Sequence, residues 1–132
     1  AYDKTIDWHK DARKFENGNH NDPGVYGFNA SLRFINGLGT QNIDGEIMHL
    51  QNVFYEELGD LAEKVKPRGD MPSGIVYVPF EKENRAKIAA ILEKHKIYAS
   101  LRSDNIRMCI NFHNTEADRK MAAKACSEIL AL

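Results

Sequence analysis

Between residues 43 and 65, Ile43, Ile47, Leu50, Phe54, Leu58, Leu61 and Val65 recur at spacings of three and four. That period predicts one long amphipathic helix over residues 43–65, with a single apolar stripe. Gly45 and Gly59 each weaken such a helix by about 1 kcal/mol relative to alanine, but the stripe outweighs them. A stripe of this kind must be buried against something, so the rest of the chain has to supply a second apolar layer. The period changes after the breaker-rich residues 67–72, KPRGDMP in context. Residues 73–80, SGIVYVPF, are β-branched and aromatic and predict a strand. Residues 83–96 predict a helix with Ile88, Ile91 and Leu92 inward, 97–101 and 106–112 two more short strands, and 115–130 a closing helix. The order β-α-β-β-α, preceded by helices, predicts an α+β fold in two layers: a small, three-stranded, largely antiparallel sheet with helices on one face.

Upstream, the reading is less regular. A short helix is expected around residues 6–15, followed by the turn formers NGNHNDPG. A second helix is expected over residues 23–37, with Asp22 as N-cap and Pro23 in its first turn. Its apolar side carries Val25, Phe28, Leu32 and Ile35, and Gly37 and Gly39 end it.

The charge balance excludes some functions. A formal net charge of −1 without a dense basic block argues against a nucleic-acid partner. No apolar run reaches the roughly 20 residues that a membrane-spanning helix needs. Cys109 and Cys126 are far apart and match no metal or redox spacing, which favours a reduced, cytoplasmic setting. His9, His20, His49 and His95 lack the three- or four-residue spacing of helix-borne metal ligands, so no metal site is expected.

One strand carries an unexpected charge. In residues 105–118, NIRMCINFHNTEAD, alternation puts Ile106, Met108 and Ile110 on the face toward the helices. Arg107, Cys109 and Asn111 then share the other face. Two readings of that face stand. It can meet water, with Arg107 solvated or ion-paired, or it can border a cleft where the guanidinium grips a carboxylate in a bidentate fork. Either Asn114 or Thr115 caps the helix that follows, with Asp118 at the third helical position of a capping box. Cys109 reads as a small apolar packing residue, and His113 as part of the turn. Tyr98 and Arg102 flank the second strand, and Arg102 is a weaker candidate for the carboxylate.

These segments resemble a known family. IRMCINFHNTEADRKM is similar to the C-terminal signature of class V aminotransferases, in which an arginine-bearing strand runs into an Asn-Thr turn, acidic residues and a final helix. ARKFENGNHND resembles the family's Arg-Phe-Glu-x-Gly-Thr-x-Asn segment, through Arg13, Phe15, Glu16, Gly18, Asn19 and Asn21. NASLRFINGLGTQNI and KIYASLRSDNIR resemble the helix junction and the short strand that lie between them. The resemblance implies the C-terminal small domain of a fold type I, pyridoxal-phosphate-dependent enzyme acting on an amino acid, like selenocysteine lyase-like and isopenicillin-epimerase-like proteins. It implies that residues 1–22 are the tail of the large domain and residues 23–132 the small domain. It also implies that Arg107 binds the substrate's α-carboxylate, and that Gly18 and Asn19 reach a partner subunit's cofactor phosphate within a homodimer. Asn19 stands where the family has threonine. No lysine here lies in the context of the family's cofactor-anchoring lysine, so no catalytic residue is assigned to this chain and it is expected to be inactive and cofactor-free alone. The alternative is a stand-alone, non-catalytic α+β module for binding or oligomerisation.

Overall fold

In the computed structural model, residues 8–16, 18–67 and 73–132 are described. The expected helix around residues 6–15 falls partly outside them. Within them, Ala12–Phe15 form one 3-10 turn, whose start is capped by Asp11 accepting from the Arg13 N–H. The chain divides into two compact units, Ala1–Leu38 and Gly39–Leu132.

The first unit carries helix α1, Asp22–Leu38. Its cap differs from the expectation. Asn21, not Asp22, closes the helix start: its side-chain Oδ1 accepts the Gly24 N–H at 3.1 Å and its carbonyl accepts the Val25 N–H at 3.0 Å. Both residues are good caps, but Asp22 already lies inside the helix. α1 buries nothing; Val25, Phe28 and Leu32 are exposed and Ile35 is half-buried. Gly37 continues the helix, and Gly39, with φ of 84°, stands between α1 and the next helix. That left-handed backbone is readily available only to glycine.

The second unit holds the core. Helix α2, Thr40–Leu58, is followed by a 3-10 segment, Gly59–Lys64, so the predicted single helix over 43–65 changes type at Gly59, whose φ is 54°. The stripe survives the change, with Leu50, Phe54, Leu58 and Val65 buried and Ile43, Ile47 and Leu61 half-buried. The sheet has four antiparallel strands in the order β1-β2-β4-β3: β1 Lys66–Pro67, β2 Ile75–Pro79, β3 Ser100–Leu101 and β4 Asn105–Cys109. Three of these are the expected strands. The two-residue β1 is an addition, taken from the segment read as a linker, the rest of which (residues 68–72) lies outside the described residues. As an edge strand, β1 can include a proline without breaking an inner ladder.

Helix α3, Arg85–Lys94, and helix α4, Glu116–Leu130, complete the helical layer. Val76, Val78, Ile106, Met108 and Ile110 from the sheet region form one buried cluster with Leu50 and Phe54 of α2, Ile88 and Leu92 of α3, and Ala122, Cys126 and Ile129 of α4. The α+β, two-layer reading holds, with the core on one face of the sheet. Burial among these apolar groups pushes the Cys126 thiol up to about 12, so it is an inert packing residue.

Of the two proposed caps for α4, Thr115 is the one used. Its hydroxyl accepts the Asp118 N–H at 3.2 Å, and the Asp118 carboxylate accepts the Thr115 N–H at 2.8 Å. That bond holds the Asp118 carboxyl below its usual range. A carboxylate with a lowered folded-state pKa stabilises fully above the ordinary aspartate range and loses that contribution as pH falls through the lowered value. Thr115→Ala is expected to cost about 1 kcal/mol, read as a lower urea midpoint with an unchanged slope. No shift in midpoint would show that the cap contributes nothing.

Candidate functional site

The face of the sheet opposite the core carries the charge. The register sets Arg107 of β4 between Tyr77 of β2 and Ser100 of β3, and all three are half-buried. Ile75, Asn105 and Cys109 share this face by alternation. Ile106 and Met108, the strand neighbours of Arg107, point into the core at 0% and 6% exposure. Packing of those two residues therefore fixes where Arg107 stands, because a one-residue slip would put both in the open and the arginine in the core.

Arg107 is only partly open to water. Its Nε is shielded from water, has no hydrogen-bond partner among the described residues, and none of their ion pairs includes it. Two residues back on the same face, Asn105 Oδ1 is shielded and unpartnered too, while its Nδ2 donates to Asp104 at 2.8 Å. Leaving a buried polar atom unpaired costs about 1–3 kcal/mol. Two such atoms therefore lie on one sheet face.

The other candidates differ in their surroundings. Arg102 is exposed in the turn between β3 and β4, where its carbonyl accepts from the Arg85 guanidinium at 2.6 Å and its N–H donates to the Asn105 carbonyl at 2.8 Å. Cys109 is exposed, which corrects its reading as a packing residue; the buried cysteine is Cys126. Tyr98 is fully exposed beside Ile97 in the wall of a groove at the outer edge of β4. His113, in the turn, stacks edge-on against Phe112 with ring centroids 5.7 Å apart. His49 and His95 each meet one carboxylate, Glu116 at 3.1 Å and Glu128 at 2.9 Å, and no cluster able to hold a metal occurs among the described residues.

Gly18 and Asn19 belong to the first unit. Gly18 has a φ of 81°, and a Cβ there would meet nothing within 4 Å. The backbone, not crowding, therefore demands glycine, and the turn stays open to an approaching group. Asn19 is exposed.

The sequence model described as Aminotransferase class-V matches residues 2–116. The chain belongs to that family. Searches of curated proteins and of solved structures returned no match. The family match contains Arg13, Gly18, Asn19 and Arg107, and it stops at the first residue of α4. No described helix is long and apolar enough to cross a membrane.

Sequence reasoning missed one residue altogether. Arg119, the last residue of EADR, is given no role by the sequence pattern, yet it is 9% exposed and its Nε has no partner among the described residues. Its burial depends on residues more than ten positions away, and no local pattern signals that.

Proposed function

We propose that this chain is the substrate-gripping C-terminal part of a pyridoxal-phosphate-dependent class V aminotransferase-like enzyme that acts on an amino acid. The unpartnered, shielded Nε of Arg107 on the open sheet face carries the reading. A guanidinium presents two parallel N–H groups to a carboxylate, so it fixes orientation as well as position. With the α-carboxylate held there, the amino acid's α-carbon is left with a restricted set of orientations, which is how a binding group contributes to a reaction it does not perform. Asn105, on the same face, offers a second polar contact.

Pyridoxal phosphate supplies the electron sink that allows a bond at the α-carbon to break. Gly18 and Asn19 would hold its phosphate: the open turn at Gly18 lets backbone approach an anion, and the Asn19 amide can donate a hydrogen bond. In the reading we favour, these two residues serve the cofactor of a partner subunit in a homodimer. Residues 1–22 belong to a larger domain that carries the cofactor's lysine, and residues 23–132 to the small domain; the apolar residues that α1 leaves exposed suit such an arrangement. This chain alone then holds no cofactor and turns over nothing.

The complete enzyme, assayed with an amino-acid substrate and with the amine lacking its carboxylate, tests the assignment. KM for the amine is expected to be at least about tenfold higher, the loss of one charge-assisted pair. Equal KM values would overturn the carboxylate role.

A further inference from the structure

β3 is two residues long, and its shortness leaves a gap. The register that pairs Ser100 with Arg107 would, two residues further, set Tyr98 opposite Cys109, but the strand ends before that pair forms. Beside this unpaired stretch of β4 lies a groove of ≈ 520 Å³, lined by Ile97, Tyr98, Met108 and Cys109 and by Arg119 and Met121 of α4. The volume suits a small organic molecule. Arg107 is not among its lining residues.

Arg119 is the residue out of place. A guanidinium keeps its charge in any protein environment, and buried charges are almost always paired. Arg119 is 9% exposed, its Nε is shielded and unpartnered, and no ion pair among the described residues includes it. Burial pulls its pKa down, and the nearby Asp118 charge offsets that in part. Asp118, however, is already committed to the Thr115 N–H. The groove therefore contains a positive charge that has no ion-pair partner among the described residues.

The surroundings narrow what that partner is. Lys96 and Asp118 also line the groove, and together with Arg119 they give its lining a formal charge of +1, His95 and His113 being counted as neutral. A monoanion satisfies it; a dianion would bring one negative charge too many. Met108, Met121 and Ile97 give the groove an apolar side, which favours a ligand with an apolar body over an inorganic ion. We propose that this groove binds a small monocarboxylic acid with an apolar body, with Arg119 as the counter-ion of its carboxylate. The site is separate from Arg107 and lies partly beyond the family match, which stops before Arg119.

Titrating benzoate into the ¹⁵N-labelled 132-residue chain tests the proposal, with benzamide as the uncharged probe and inorganic phosphate as the competing anion. Benzoate is expected to give saturable amide shifts centred on Cys109, Asn111 and Met121, and benzamide none. Arg119→Met keeps the apolar stem and removes the charge; it should raise the benzoate midpoint at least about tenfold. Absence of saturable shifts at the groove, or an unchanged midpoint in the variant, would overturn the site. Saturation by phosphate at lower concentration than benzoate would overturn the carboxylate assignment. The benzoate–benzamide comparison on the unaltered chain decides the matter even where the variant does not fold.

Discussion

Replacing Arg107 by alanine in the complete enzyme is expected to raise KM for an amino-acid substrate by at least about tenfold and to leave kcat far less affected. A hydrogen bond to a charged group contributes about 1.5–3 kcal/mol, and each 1.4 kcal/mol is about a factor of ten. In the proposed role most of the grip on the carboxylate is present both before and during the chemical step, so its loss appears mainly in KM, with a smaller loss in kcat from the freer α-carbon. Arg107→Lys should fall between, because an ammonium keeps the charge and lacks the planar fork. Folding should scarcely notice either change. Arg107 projects from the side of the sheet away from the core, and its Nε has no partner among the described residues to be orphaned; Ile106 and Met108 hold the strand from the other side. A thermal midpoint close to that of the parent, together with the raised KM, separates the binding role from a structural one. An unchanged KM would end the assignment.

The elements that sequence reasoning reached are those decided by short-range chemistry. Period-two alternation was enough to send Ile106, Met108 and Ile110 inward and Arg107 outward, because only one face of the sheet is covered. The capping box of Thr115 and Asp118 is a contact between residues three apart, so the sequence contains both partners. Part of what stayed hidden depends on distant parts of the chain. Pro67 reads as a breaker, and only the arrival of Val76 beside it makes it part of an edge strand. Asn21 and Asp22 are equally able to cap α1, and the choice is made by where the helix begins. Cys109 was assigned by what cysteines usually do, although its place on the Arg107 face already pointed outward. Arg119 could not be singled out, since the groove that buries it is assembled from residues 97–98 and 108–109 as well as α4.

Phe54→Ala is expected to destabilise the chain by about 3–5 kcal/mol, the range for removing a buried phenylalanine. Phe54 is 1% exposed and sits in the cluster that joins α2 to the sheet and to α4, so its removal subtracts transfer free energy and leaves a cavity that a close-packed core fills only in part. Against a typical total of about 5–15 kcal/mol for a domain, that loss leaves a large unfolded fraction at physiological temperature. Urea denaturation followed by circular dichroism should show the midpoint fall while the slope stays constant. The informative comparison is Phe28→Ala. Phe28 occupies the same kind of position in an amphipathic helix pattern, and it is 66% exposed; its replacement should change stability by no more than about 0.5 kcal/mol. Two phenylalanines that look alike in the sequence are thus expected to differ several-fold in their cost. A loss below about 1.5 kcal/mol for Phe54, or an equal loss for the two, would mean that the core is not centred where α2 meets the sheet.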